Sequence, residues 1–363
     1  MASTFIKGIE LGQLFFEEVV KPIIIDNFPN LRYDAALIGS GSEILGFDDL
    51  VSTDHHWGPR FQLFLSDKDF SSYKNELKLV LSENLPYTFR GYSTNWSEPD
   101  PTDSNNQFLT TINSGLVNHR IEINSVNNYL YDNLAISSLK LTDFDWLLIP
   151  EQKLLEFTSG KVFYNGLGEL TNVRNQLGYF PFNVWIFKLV CEWDHIAEEI
   201  AFVGRTGSIG DDLGSRIEAT RMVRHIIRLS FLLNKKYIPY PKWLITAFNQ
   251  LDCARDLFSL IKKILSSANW REREDLLCQA YLFLLNKQNS LNITPMIHLK
   301  PQRFHSRDLM VIDVNKIIGE LKKCVKSPLS EIKYPIGSID QFIDDTHILS
   351  DSHFARKLHH LYH

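Results

Sequence analysis

Residues 39–42, Gly-Ser-Gly-Ser, have the composition of a phosphate-binding turn. They follow an apolar run, residues 35–38, that is typical of a buried strand. The glycines let backbone N–H groups approach an anion closely, and Ser42 is placed to open the helix predicted after the turn. We therefore predict that Gly39, Ser40, Gly41 and Ser42 form a phosphate cradle.

Asp54 is the carboxylate best placed to work with this turn. It follows Ser42 by twelve positions and precedes a second apolar run, which predicts a second strand. A carboxylate at the mouth of that strand can hold Mg²⁺ or Mn²⁺ against the bound phosphates. Gly-Ser sequences are also common in plain turns, so the prediction depends on the pairing with Asp54.

The elements that would position these residues change in character along the chain. Residues 4–28 predict a helix that covers the sheet, and Asp67–Glu83 predict a second helix capped by Asp67. Residues 117–131 contain a short alternating run that predicts a strand, with His119, Ile121 and Ile123 on one face and Arg120 and Glu122 on the other. Glu122 is either a third carboxylate of the site or a plain exposed strand charge. From about residue 141 the apolar spacing is helical, without evident strands.

This layout predicts an α+β fold of two domains. Residues 1–140 would form a mixed sheet with helices. Residues 141–363 would form an all-helical domain with a short mixed C-terminal extension. We expect the active cleft between the two domains.

The strand, turn and acidic strand start resemble the layout of polymerase-beta-type nucleotidyltransferases. The wider stretch resembles a bacterial family known as domain-of-unknown-function family 4037, whose motif is G-S-G-S followed by S-x-D-H-x-W-G-P-R. Residues 39–42 match its first part, and the second part is matched by Ser52, Asp54, His55, Trp57, Gly58, Pro59 and Arg60. Later segments such as DWLLIPEQKLLEFTSGKVF and PIGSIDQFIDDT look like the same family.

The resemblance implies a nucleotidyltransferase-like N-terminal domain that moves a nucleoside monophosphate from ATP or another NTP to a hydroxyl or amine. The acceptor would belong to a small molecule or a macromolecule. Acids on neighbouring strands face one cleft in that fold, so Asp54 and Glu122 are the implied catalytic residues and metal ligands. His56, at the position of the second acid, is a third candidate metal ligand. Lys242, followed by Trp243, is similar to a Lys-Trp pair of aminoglycoside-modifying nucleotidyltransferases, and would touch the triphosphate.

His56 departs from the nucleotidyltransferase pattern, which has a second acid at this position. Paired carboxylates suit two Mg²⁺ ions, whereas imidazole suits Zn²⁺, Mn²⁺ or softer metals. Three explanations stay open: the metal differs, Asp49 or Glu122 supplies the missing charge, or catalysis has been lost.

Two other functions compete with nucleotidyl transfer. Asp54-His55-His56 resembles the signature of a Mn²⁺-dependent phosphoesterase superfamily, but that fold needs a histidine ahead of the triplet and residues 1–53 contain none. The second is a non-catalytic nucleotide-binding or interaction module with an impaired metal site.

Two charged clusters in the helical part and a His-rich segment at the C-terminus can each be interpreted as functional or as purely structural. The segment with Glu198, Glu199 and Asp211 would line a substrate pocket and supply a general base, or would cap the following helix. The arginines at 221, 224 and 228 share a helical stripe that would bind anions or be solvated. The His-rich end, HFARKLHHLYH, would bind metal or form a solvated helix end.

Composition bounds the function further. The 363 residues are 44% hydrophobic and 22% charged, which is typical of a globular protein, and the net charge of −5 argues against a dedicated nucleic-acid binder. The four cysteines are widely spaced, as expected for thiols in a reducing cytosol. No apolar run is long enough for a membrane span. We expect a cytoplasmic protein whose partners are a nucleotide and an acceptor.

Overall fold

The computed structural model describes residues 5–53, 56–102 and 105–362. The strands are β1 (Tyr33–Leu37), β2 (Arg60–Leu65), β3 (Thr88–Phe89), β4 (Tyr92–Ser93), β5 (Arg120–Ser125), β6 (Lys161–Asn165), β7 (Gln302–Arg303) and β8 (Met310–Val311). The first nine helices are α1 (Gly8–Phe15), α2 (Lys21–Asn27), α3 (Asp67–Asn84), α4 (Val126–Leu134), α5 (Asp143–Leu148), α6 (Glu151–Thr158), α7 (Glu169–Gln176), α8 (Phe182–Glu199) and α9 (Phe202–Gly207). The later ones are α10 (Asp212–Leu233), α11 (Leu244–Phe248), α12 (Ala254–Ser266), α13 (Trp270–Ser290), α14 (Val314–Lys322), α15 (Ile339–Phe342), α16 (Thr346–Ser350) and α17 (Ser352–Ala355).

The chain divides into two compact units. The first contains residues 1–139 and 153–178, and the second contains residues 140–152 and 179–363. The predicted boundary near residue 140 therefore differs from this division at residues 153–178, which pack in the first unit. The physical reason is β6, a strand that the sequence pattern did not reveal and that pairs antiparallel with β1.

The first unit is built on a four-stranded mixed sheet of order β5-β2-β1-β6. β1 runs antiparallel to β2 and β6, whereas β2 and β5 are parallel, with Arg60 opposite Arg120 and Gln62 opposite Glu122. This mixed sheet with helices confirms the predicted α+β fold class.

The two faces of this sheet differ in chemistry because side chains alternate along each strand. One face carries apolar residues of the core, including Leu37, Phe61, Leu63, Ile121 and Ile123. The opposite face carries polar side chains of β2 and β5. We call it the polar face and define it by Arg60, Gln62, Arg120, Glu122 and Asn124. The predicted alternation in β5 is thereby confirmed.

Helices cover the apolar face. α1, a π-helical segment at residues 16–20 and α2 form one helical run, close to the predicted 4–28, and α1 contacts β1 and β2. α3 contacts β2 and β5. Its N-cap is Ser66, whose Oγ accepts a hydrogen bond from the Asp69 backbone N–H at 3.1 Å, so the prediction of Asp67 as the cap was wrong by one residue.

The helix predicted after Ser42 is absent from the described part of the chain. A single 3₁₀ turn, Glu43–Leu45, takes its place and ends at Gly46, which has a left-handed φ of 74°. Three residues cannot build the aligned peptide dipoles of an α-helix, so a helix macrodipole cannot contribute to phosphate binding at this turn.

The second unit is helical around α8, which packs against α10 and α14, while α10 also packs against α13. One of the buried residues of α8 is Lys188, which forms an ion pair with Glu151. The Lys188 ammonium donates to Glu151 Oε1 at 2.8 Å and to Ser338 Oγ, and it lies 4.4 Å from the Phe180 ring centroid. The other carboxylate oxygen of Glu151 accepts from the Ile238 backbone N–H at 2.9 Å. This network joins α6, α8 and the segment before α15.

The structure also bears on membrane insertion. Within the described ranges, 5–53, 56–102 and 105–362, each helix is too short or too polar to cross a bilayer.

Replacing Lys188 by Met is expected to lower the free energy of unfolding by about 3–5 kcal/mol, because the Glu151 carboxylate would stay buried without its cation. Lys323→Met is the matched control: its partner Glu320 lies one turn away on the surface, and the loss should be below about 1 kcal/mol. Urea unfolding of the full chain measures both. Equal losses would show that the buried pair does not stabilise the second unit.

His119, directly before β5, is expected to make stability depend on pH. Burial lowers its pKa to about 4, and its Nδ1 accepts from the Ile121 backbone N–H at 3.1 Å. The unfolded chain, with a pKa near 6.5, takes up the proton more readily. Stability is therefore complete above about pH 6.5 and falls by about 3 kcal/mol as the pH drops towards 4. His119→Gln should flatten this dependence, and an NMR titration midpoint near 6.5 for His119 would contradict it.

Candidate functional site

The predicted cradle lies at the end of β1. Gly39 and Gly41 have φ values of 94° and 135°, which favour glycine, and Ser40 and Gly41 are exposed. Inside the turn, Ile44 N–H donates to Gly41 O at 3.3 Å and Phe47 N–H donates to Ser42 O at 2.9 Å. Among the hydrogen bonds of the described residues, none uses the backbone N–H of Ser40, Gly41 or Ser42 as donor. These three groups are the ones that an anion would need.

Gln62 connects the cradle to the polar face. Its side-chain amide accepts from the Ile38 backbone N–H at 3.1 Å and donates to Ile38 O at 3.2 Å. It thus satisfies the backbone of the residue directly before Gly39, where β1 has ended. The same Nε2 approaches Glu122 Oε2 at 3.5 Å. The structure therefore brings the predicted cradle and Glu122 to the same face of the sheet.

A buried ion pair underlies the turn. Arg60, the first residue of β2, donates from Nε to Glu43 Oε1 at 3.0 Å, and its Nη2 donates to the same oxygen and to Ser40 O at 2.7 Å. Both side chains are almost fully buried. A methyl group on Gly41 would lie 2.4 Å from Glu43 Oε2 and 2.6 Å from Arg60 Nη2. The exposed turn thus packs directly against the ion pair, and only glycine fits at position 41.

His56 reaches this cluster through Arg120. Its backbone has a positive φ of 53°, and its Nδ1 accepts a hydrogen bond from Arg120 Nη1, since a guanidinium has no acceptor. The Arg120 guanidinium also lies 5.1 Å from the Trp96 ring centroid. Burial, with the charge of Arg60 second, lowers the pKa of Arg120 to about 10, so Arg120 stays charged at neutral pH. A metal at His56 would have to bind through Nε2.

Tyr129 of α4 closes the cradle on the side of Gly39. A methyl group on Gly39 would lie 2.9 Å from Tyr129 Oη, and the ring packs edge-on against Phe64 of β2. Burial raises the pKa of the Tyr129 hydroxyl, and the charges of Glu122 and Glu156 act in the same direction. The hydroxyl is therefore a neutral donor beside the turn.

Four other residues were singled out from the sequence: Asp49, Asp54, His55 and Lys242. Asp54 and His55 lie outside the described residues, so the role of Asp54 stays a prediction. Asp49, one source considered for the missing charge, accepts from the Val51 backbone N–H at 3.0 Å. Lys242 belongs to the second unit, where it is exposed and its ammonium lies 5.1 Å from the Trp243 ring centroid.

Sequence reasoning did not assign roles to Glu43, Gln62 or Tyr129. A signal for Gln62 was present, because Arg60 and Gln62 alternate with the apolar residues of β2 just as Arg120 and Glu122 do in β5. No local pattern signals Tyr129, which meets the turn only through the packing of α4.

Gly41→Ala is expected to lower the free energy of unfolding by about 2–3 kcal/mol, because the new methyl group strains the backbone and collides with the ion pair. Gly46→Ala is the matched control. Its φ is also positive, but a methyl group there would meet no atom within 4 Å, so about 1 kcal/mol is expected. Denaturant unfolding compares them, and a smaller loss for Gly41→Ala would contradict the proposed contact.

Comparison with known proteins locates the family resemblance. No curated protein matches the chain significantly. A crystal structure of a "nucleotidyltransferase-like protein" from Exiguobacterium sibiricum 255-15 is similar at 13% identity over 85% of this chain and 89% of that chain, with a TM-score of 0.34. Residues 146–244 match the family model "Domain of unknown function (DUF4037)", which confirms the predicted kinship there, whereas the motif at residues 39–60 lies outside the matched range. By that match, this segment of the chain is similar to the DUF4037 family.

Proposed function

We propose that the first unit binds a divalent-metal complex of a nucleoside triphosphate at residues 39–42 and transfers the nucleoside monophosphate to a hydroxyl or amine. The observation that carries this proposal is the exposed turn at the end of β1, with unpaired N–H groups among the described residues, next to a face that carries Glu122. An anion site and a carboxylate then face one ligand.

The charges around the turn suit an anionic ligand. Arg60 and Glu43 neutralise each other below the turn, while Arg120 stays charged at neutral pH and accompanies Glu122 on the polar face. Backbone N–H groups and a fixed guanidinium stabilise phosphate oxygens without reorganisation. The chain's contribution to catalysis is therefore positioning and charge neutralisation.

One divalent cation is proposed beside the phosphates. Glu122 is exposed and offers carboxylate oxygens, the ligands that Mg²⁺ and Mn²⁺ prefer, and Asp54 and His56 complete the proposed set. When bound, the cation would neutralise the charge that builds up on the triphosphate. Lys242 is the proposed partner of the distal phosphates, and the acceptor would supply the attacking oxygen or nitrogen.

A second function is favoured by one specific observation. His56 stands where the nucleotidyltransferase pattern has an acid, and its Nδ1 is held by the Arg120 cation. A cation in that place opposes a second metal ion, so the alternative is a module that binds the nucleotide without consuming it.

Asp54→Asn is expected to abolish pyrophosphate release from ATP, tested with Mg²⁺ or Mn²⁺ and a panel of polyols and amines, while the fold is kept. Glu122→Gln should lower it about 100-fold or more, as expected for losing an electrostatic group at the reacting phosphate. Asp26→Asn and Glu83→Gln are matched controls on the exposed surface of the same unit, and both should keep full activity.

Binding of a nonhydrolysable ATP analogue, measured by calorimetry, separates the two functions. Saturable binding without pyrophosphate release from ATP would favour the binding module. Full activity of Asp54→Asn would rule out the transferase scheme, and failure of the analogue to bind with either metal would rule out both.

A further inference from the structure

The second unit contains a cavity of about 350 Å³ that the proposed transferase site does not use. It is lined by α8, by α10 and by residues 341–344. Three arginines and three carboxylates line it together with His195 and His225. We call it the histidine cavity and define it by His195, His225 and Gln341.

Three metal-ligand side chains converge at this cavity. Glu192 and His195 are three residues apart on α8 and so lie on one side of the helix, one turn from each other. His225 comes from α10, which packs against α8. One donor atom from each of the three residues lies within 4.8 Å of the other two. Two different helices therefore present a carboxylate and two imidazoles to one point.

Glu192 is fixed and charged. It is fully buried, its Oε1 accepts from His225 Nδ1 at 2.7 Å, and its Oε2 accepts from Gln341 Nε2 at 2.7 Å. Burial alone would raise its pKa, but the hydrogen bond and charge of His225, together with Arg228, lower the pKa to about 2. Gln341 is itself held, because it also donates to Lys188 O at 3.0 Å. Such supporting contacts orient the ligands of metal sites in proteins.

His195 has an unsatisfied ring nitrogen. Its Nδ1 is buried and has no hydrogen-bond partner within the described part of the chain. A buried polar atom without a partner is costly, and a native structure seldom leaves one without a reason. Burial lowers the pKa of His195. The unpaired nitrogen and the neighbouring donor atoms of Glu192 and His225 are therefore the observations that point to a bound cation.

The charges of the cavity permit a cation. Arg221 pairs with Glu199, and Arg224 and Arg228 both contact Asp344. Glu198, which also lines the cavity, takes part in no ion pair among the described residues. With Glu192, four carboxylates surround three guanidinium groups, so the local balance is negative when both histidines are neutral.

We propose that Glu192, His195 and His225 bind a divalent transition metal, with Zn²⁺ as the best match, and leave a coordination position open to the histidine cavity. Two histidines and one carboxylate form a common three-ligand zinc set in which the fourth position holds water or substrate. Ligand atoms on a tetrahedral zinc ion are about 3.3 Å apart, so side-chain shifts of about 1 Å close the present separation. A metal at His225 Nδ1 would take the place of the proton that this nitrogen shares with Glu192, and the neutral ring would then carry its proton on Nε2.

Titration of the full-length, chelator-treated protein with Co²⁺ tests this site. We expect saturation at one tight equivalent, with the visible bands of tetrahedral Co²⁺ that Zn²⁺ then bleaches, and a rise in melting temperature with metal. His195→Ala should weaken the affinity about 100-fold or more. Because His195 Nδ1 has no partner in the apo protein, this variant should melt in chelator close to the parent, which separates lost binding from lost folding.

Two controls distinguish this site from adventitious histidines. His298→Ala removes an exposed histidine of the same unit, and His359→Ala combined with His360→Ala removes the adjacent pair of the His-rich end, whose ring centroids are 3.7 Å apart. Both variants should keep the tight equivalent. Undiminished Co²⁺ affinity in His195→Ala, or loss of the tight equivalent in the tail variant, would overturn the proposal. These measurements need no transferase activity, so they stand apart from the proposed function.

Discussion

The buried ion pair between Arg60 and Glu43 is the constraint on which the candidate site of the first unit depends. Two charges removed from water are tolerated only when hydrogen bonds satisfy them, and here the guanidinium reaches both the carboxylate and Ser40 O. Arg60 begins β2 and Glu43 follows the turn, so the pair fixes the turn to the sheet. The register that places Gln62 opposite Glu122 then sets the carboxylate on the same face.

The second unit also contains a buried ion pair, between Lys188 and Glu151. Lys188, buried in α8, holds Glu151 and Ser338, and its backbone carbonyl accepts from Gln341. Gln341 in turn contacts Glu192. The polar network that joins distant parts of the chain thus also aligns the carboxylate of the proposed metal site, which connects the stability of the unit to the geometry of its cavity.

The two candidate sites differ in the ligands that they offer. The first unit presents the Glu122 carboxylate on its polar face and backbone N–H groups in the turn at residues 39–42, which suit hard cations and phosphate oxygens respectively. The histidine cavity presents two imidazoles with one carboxylate, which suit Zn²⁺. The first unit also offers an imidazole, that of His56, but its Nδ1 already accepts a hydrogen bond from Arg120 and is not free to bind a metal. His56, which departs from the nucleotidyltransferase pattern, is thus hydrogen-bonded to the guanidinium of Arg120.

The sequence alone determined what local spacing determines: the α+β class, the glycine turn and the polar alternation of β5, because strand and turn preferences are set by neighbouring residues. It could not reveal β6, which is a strand because it pairs with β1, more than a hundred residues earlier. Likewise, the spacing of Glu192 and His195 is visible on one helix, but His225 joins them only where α10 packs on α8. Such meetings depend on non-local packing and register, so the tertiary structure decided them.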